Sequence, residues 1–136
     1  MAEIEIFNPT PLSAPRGTYS HVARVRPGAT LVVVAGQVAV GEQGERVGAD
    51  DFDGQCTQVY GNIGAAVREA GGDWRNVIQF MTFLTRKDDI AGLRAWRERE
   101  FPKLFPDGAY PPNTLLVVSA LASDDLLLEV QAIAAI

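Results

Sequence analysis

Apolar positions along this chain recur at two spacings, and the switches between them set out its elements. Ile4 to Phe7 alternates apolar with acidic residues, the period-two signature of a short strand. The connection that follows holds Pro9, Pro11 and Pro15, which disfavours helix and predicts an extended arm ordered by what it touches. His21 to Arg26 alternates again, and Pro27-Gly28 supplies turn chemistry before the β-branched run Leu31-Val32-Val33-Val34, so this region reads as a hairpin with a buried second strand. Past a polar turn from Gly41 to Gly48, the stretch from Asp51 to Ala70 places Phe52, Cys56, Val59, Tyr60, Ile63, Ala66 and Val67 at helical spacing. Asp50 or Asp51 is its N-cap and Gly71-Gly72 its stop. Val77 to Leu84 reads as a strand, and Asp88 and Asp89 open a second helix that runs through Leu93 and Trp96 to Phe101, with Pro102 near its end. The proline-rich stretch Phe105 to Pro112 is a loop, followed by strands at Thr114 to Ala120 and Leu126 to Ile133.

This order predicts an α/β (α+β) fold: one domain over residues 1–136, with a six-stranded mixed sheet and both helices on one face. The strands LVVVAGQVAV and LLLEVQAIAAI are apolar on both sides, yet the helices shield only one face. The other face would expose a large apolar patch, so a homo-oligomer whose sheets pack together is expected.

Composition narrows the partners. The 136 residues suit one core, and 47% hydrophobic with 21% charged residues is ordinary for a globular protein. A formal net charge of -5 repels phosphate backbones, which argues against nucleic acid as a partner. The longest uncharged apolar run, Thr30 to Val40, is far shorter than the roughly 20 residues a bilayer needs, so no membrane partner is expected either. Met1 to Asn8 lacks the basic start of a signal peptide, and Cys56 stands alone, which excludes an intrachain disulfide and favours a reducing, cytoplasmic setting. A lone Cys56 and a lone His21 cannot make a Cys/His zinc site, so no metal is expected.

Six segments taken in order, SAPRGTYS (Ser13 to Ser20), LVVVAGQV (Leu31 to Val38), QCTQVYGNIGAAVREAGG (Gln55 to Gly72), VIQFMTFLTRKDDIAGL (Val77 to Leu93), YPPNT (Tyr110 to Thr114) and LLLEVQAIA (Leu126 to Ala134), resemble the RidA/YjgF family of reactive-intermediate deaminases, also called the endoribonuclease L-PSP family. The resemblance covers nearly the whole chain. It implies a chorismate-mutase-like subunit, a homotrimer whose sheets face a central core, and small-molecule clefts at the subunit interfaces. It also implies hydrolysis of enamines and imines to a keto acid and ammonia without metal or cofactor.

The family's site residues map unevenly onto this chain. Tyr19, Gly36 and Gln37 keep the expected pattern, whereas the carboxylate-binding arginine matches Asn113, the last-strand glutamate matches Gln131, a serine matches Ala35 and a second-helix asparagine matches Arg94. Losing a bidentate, charge-assisted contact removes about 2 to 3 kcal/mol in a closed site, which argues against a 2-imino acid as substrate. Losing cation and anion together is mutually consistent and predicts a neutral polar cleft.

The resulting expectation is a cofactor-free hydrolase or deaminase of a small enamine, imine or carbonyl-type metabolite. Tyr19, Asn113 and Gln131 would hold substrate and water, and the main chain around Ala35-Gly36-Gln37 and Thr114-Leu115 would supply fixed dipoles. The alternative is a non-catalytic, metabolite-binding or regulatory trimer. Each residue also has a plainer role open to it: Asn113 in turn geometry beside the prolines, Tyr19 as a core aromatic, and Gln131 as a hydrogen-bonded strand residue. Cys56 sits at a helical core position as an inert hydrophobe, and His21 is a half-exposed strand residue. Arg94, with Arg97 and Arg99, reads by default as a solvated or interfacial face; the sharper reading has Arg94 reaching the cleft and restoring a cation near position 113.

Overall fold

The computed structural model describes residues 2–136; Met1, where the N-terminal alternation begins, lies outside them. The strands are β1 (Ile4–Phe7), β2 (Val22–Val25), β3 (Leu31–Gln37), β4 (Val77–Leu84), β5 (Asn113–Val117) and β6 (Leu128–Ala135). The helices are α1 (Phe52–Glu69) and α2 (Asp89–Leu104), and a 3-10 turn at Trp74–Asn76 leads into β4. Both helices and the alternation of β4 follow the sequence pattern closely.

Local chemistry explains their limits. The Asp51 carboxylate accepts from the Gly54 N–H at 3.0 Å and caps α1, and Gly71, at φ 96°, turns the chain out of the helix where an L side chain would be strained. The second helix runs past the expected stop at Phe101 and takes Pro102 inside it. Its ring faces solvent in the last turn, and the Phe105 N–H still reaches the Phe101 carbonyl at 2.8 Å, so the missing donor removes one terminal bond without breaking the helix.

The six strands form two hydrogen-bonded groups rather than one continuous sheet. Four make a mixed sheet in the order β3-β6-β4-β5, with β4 and β5 parallel and the other pairs antiparallel; β1 and β2 make a separate antiparallel ribbon. The expected hairpin between β2 and β3 is therefore corrected: the ladder partner of β2 is β1, with Ile4 opposite Val25 and Phe7 opposite Val22. The Pro27-Gly28 turn carries the chain from the ribbon onto the sheet edge, where Thr30 exchanges backbone bonds with Ile136.

Alternation divides the sheet into two unlike faces. Val34, Phe80, Thr82, Leu84, Val130, Ala132 and Ala134 point to the helices and are buried. Tyr60 of α1 stacks on Trp96 of α2 at 4.6 Å and meets Phe80 and Phe101 edge-on, so one aromatic cluster joins both helices to β4. Gln55, in the first turn of α1, spans two loops: its amide donates to the Gly48 and Asp125 carbonyls and its oxygen accepts from the Leu127 N–H.

The opposite face carries Leu31, Val33, Met81, Phe83, Leu116 and Ile133, and no helix covers it. Leu31 is 63% exposed and Val33 70%, an apolar stripe of the kind that calls for a partner.

Candidate functional site

The register of the sheet sorts the candidate residues into two half-sites. Asn113 lies opposite Phe80 and Leu115 opposite Thr82, so both point to the helix face; Thr114 and Gln131 both lie opposite Met81 and point to the uncovered face. One protomer therefore cannot bring Asn113 and Gln131 onto one ligand.

The first half-site is a cavity of about 290 Å³ between the arm, α2 and the edge strand β5. It brings together Tyr19, Arg94, Asn113 and Leu115 from the sequence candidates, with Ile90 and Leu93 as an apolar wall. Asn113 is fixed in place: its Oδ1 accepts from the Thr82 hydroxyl at 2.7 Å, and Thr82 is wholly buried. The arm is anchored where it crosses this edge. The Asn8 side chain accepts from the His21 N–H at 2.8 Å, the His21 ring bonds the Ser13 carbonyl at 2.7 Å, and Tyr19 meets the His21 ring edge-on at 5.8 Å.

The expectation of a neutral cleft does not survive at this cavity. Arg16, Arg94 and Arg97 all line it, and no carboxylate does. Arg94 lines it beside solvent and is exposed, while Arg97 is buried. Sequence reasoning missed Arg97 by treating Arg94 to Arg99 as one charged run. The signal was there: Leu93, Arg97 and Phe101 follow one another at four-residue spacing, which places an arginine in an apolar helical stripe.

The second half-site lies on the uncovered face. There Gln131 is half-buried beside Met81 in a row that ends at exposed Thr114. Gly36 and Gln37 close β3, where the Gln37 amide donates back to the Ala35 carbonyl at 3.2 Å. A second residue missed in the sequence belongs here. Glu129, one step along the same face of β6 from Gln131, lays its carboxylate over Gly36, in space that any β-carbon at 36 would occupy. Glu129 takes part in none of the ion pairs among the described residues.

Cys56 is an inert part of the core. It is fully buried, and burial first, then the charges of Asp53 and Asp89, push its thiol up to about 12. Such a thiol is protonated at neutral pH and is no nucleophile. Among the described residues no group of three or more His, Cys, Asp or Glu side chains is placed to hold a metal ion, and no helix is long and apolar enough to cross a membrane.

Two helices on one face of a mixed sheet, the other face open, are the arrangement of the Rid/YjgF proteins. The chain belongs to the Endoribonuclease L-PSP family, whose profile matches residues 11–136. It is 27% identical over 132 residues to the RutC family protein slr0709 of Synechocystis, covering 96% of this chain and 95% of that protein. Among solved structures it resembles YyfB, of the conserved Rid protein family of Yersinia pestis, with a TM-score of 0.86 and 26% identity over 98% of each chain. Escherichia coli TdcF matches with a TM-score of 0.69 and 27% identity, over 96% of this chain and 97% of that one.

Proposed function

We propose that this protein is a homotrimeric Rid protein of the cytoplasm whose clefts form between subunits. The cavity of Tyr19, Arg94, Asn113 and Leu115 on one protomer would close against the Gly36, Glu129 and Gln131 face of the next. The observation that supports this most is the division of the candidate residues between the two sheet faces, one of them an unshielded apolar surface. Oligomers with closed symmetry use such unlike patches head to tail, and a ring closes without leaving either exposed.

The activity proposed is cofactor-free hydrolysis of a small enamine or imine. An enamine first tautomerises to its imine, a proton moving from nitrogen to the β-carbon. Water then adds to the carbon of the C=N bond, the C–N bond of the carbinolamine breaks as a proton passes from its hydroxyl to nitrogen, and ammonia leaves behind a carbonyl compound. No side chain lining the cavity is a carboxylate, and the base proposed for the attacking water is Glu129 of the facing protomer, whose carboxylate lies over Gly36 on the face that also carries Gln131. The structure of TdcF contains bound serine, a ligand of the size such a cleft takes. RNA processing is not proposed, because the net charge of -5 opposes a polyanion.

The test is ammonia release from 2-aminoacrylate or 2-iminobutanoate generated in situ, with the trimer established by light scattering. Release above the spontaneous rate, lost in Glu129→Gln, supports the reading; a trimer that adds nothing to the spontaneous rate removes catalysis. A second reading, a binding or regulatory trimer without turnover, is favoured by one observation: an amide, Gln131, stands where the resemblance places a glutamate. Thermal stabilisation by metabolites with no product formed distinguishes it.

A further inference from the structure

Arg97 is a buried cation without an anion. It is 5% exposed, its Nη2 donates to the Thr18 carbonyl at 3.2 Å, and its guanidinium lies over the Phe101 ring at 4.3 Å from the centroid. Its Nε–H is buried with no partner at all. Of the acids on the two helices, Asp89 pairs with Arg86, Asp53 with Arg99 and Glu100 with Lys103, and none of them, the adjacent Glu98 included, pairs with Arg97. Arg16 and Arg94, at the rim of the same cavity, also join no ion pair among the described residues.

A desolvated charge left unpaired is costly, and an apolar residue of similar length would fill this stripe between Leu93 and Phe101 without that cost. Retaining an arginine there makes physical sense if an anion arrives from outside. We propose that the cavity is an anion site taking the carboxylate of a small organic acid, with Arg97 fixing it and Arg94 and Arg16 closing over it. Arg97 is thus a specificity-determining residue, and the cation has moved from the edge strand to α2. This rests on the reading of the cavity as a small-molecule cleft.

Three features favour a carboxylate over a phosphate. The guanidinium fork matches a planar carboxylate with two parallel N–H···O bonds. The cavity is small, about 290 Å³, and one wall is apolar, formed by Leu93 and Leu115, which suits a short aliphatic chain better than a fully solvated dianion. Asn113, held by Thr82, still has an amide N–H₂ to offer beside the cation.

The experiment is calorimetric titration of the trimer with butanoate, with butanamide as the neutral isostere and inorganic phosphate as the competing oxyanion. The expected result is butanoate bound roughly tenfold or more tightly than butanamide, with phosphate weaker than butanoate and the preference abolished in Arg97→Met. Should Arg97→Met fail to fold, Arg97→Lys decides: it keeps the charge, loses the fork and is expected to bind butanoate several-fold more weakly, while wild-type affinity there overturns the role of Arg97. Equal binding of butanoate and butanamide overturns the anion site but leaves the small-molecule cleft standing. A trimer that binds neither removes the cleft reading and this inference together. Phosphate binding as tight as butanoate overturns the assignment to a carboxylate.

Discussion

Thr82 donates its hydroxyl to Asn113 Oδ1 across 2.7 Å, so the amide at the start of β5 is held on the helix side of the sheet, beside the arginines of the cavity. On the anion-site proposal, the bond orients a neutral donor while the arginines of α2 supply the charge. It also makes the cavity testable by converting the amide into a built-in competitor.

Asn113→Asp keeps an oxygen for the Thr82 hydroxyl and adds a carboxylate beside Arg97. The new ion pair satisfies the buried cation internally, so butanoate binding is expected to fall by roughly tenfold or more, with thermal stability unchanged or raised. Differential scanning fluorimetry and calorimetry on the same preparation check both halves. Loss of stability together with unchanged binding would contradict the arrangement.

Gly36→Ala introduces a β-carbon into the space of the Glu129 carboxylate. The carboxylate is the far end of a flexible chain and swings aside, so the expected cost to stability is small, about 1 kcal/mol or less. Glu129 is then displaced from the second half-site, and ammonia release is expected to drop severalfold while the unfolding midpoint barely moves. Urea denaturation and the deaminase assay, run side by side, separate the two effects.

Val33→Glu places a charge on the uncovered face where the valine is 70% exposed. Folding of the protomer loses little, because that side chain buries little within one chain, but packing of sheet on sheet would bury an unpaired carboxylate. The expected outcome by light scattering is a monomer with native circular dichroism. A Val33→Glu trimer would show that the subunits meet elsewhere.

Alkaline pH probes the core. The Cys56 thiol is held at about 12 against an ordinary 9.0, and burial raises the Tyr60 phenol in the same direction, against the opposing effects of Arg97 and Thr82. Groups whose folded pKa is raised contribute stability that is whole below their ordinary values and is lost as pH climbs toward the folded ones. Stability is therefore expected to fall from about pH 9 upward, and less steeply in Cys56→Ala, as read by urea midpoints across that range. Native protein is expected to resist alkylation at Cys56 until it unfolds.

Much of this fold is written in local pattern. The alternation of VIQFMTFL gives β4, and Asp51 and Gly71 bracket α1, because caps and periodicity act within a few residues. The partner of β2 was not legible, since pairing depends on which strand the ribbon meets in space and not on the turn that follows it. The site was half legible. Tyr19, Arg94, Asn113 and Leu115 do share a cavity, but parity sends Gln131 to the other face, and parity counts only once the register is known. Arg97 was masked by the charged run around it, although its four-residue spacing from Leu93 and Phe101 was readable, whereas Glu129 stands between Leu128 and Val130 and only the fold shows its carboxylate lying over Gly36.

The central claim is that Asn113 and Gln131 meet only across a boundary between copies, and proximity tests it most directly. In a Cys56→Ala background, the Asn113→Cys/Gln131→Cys double variant is treated with a short bismaleimide and run on a denaturing gel, with each single variant as control. The account predicts a covalent ladder that ends at the trimer and is absent from both single variants. Monomer alone, or a ladder that runs past the trimer, would contradict it.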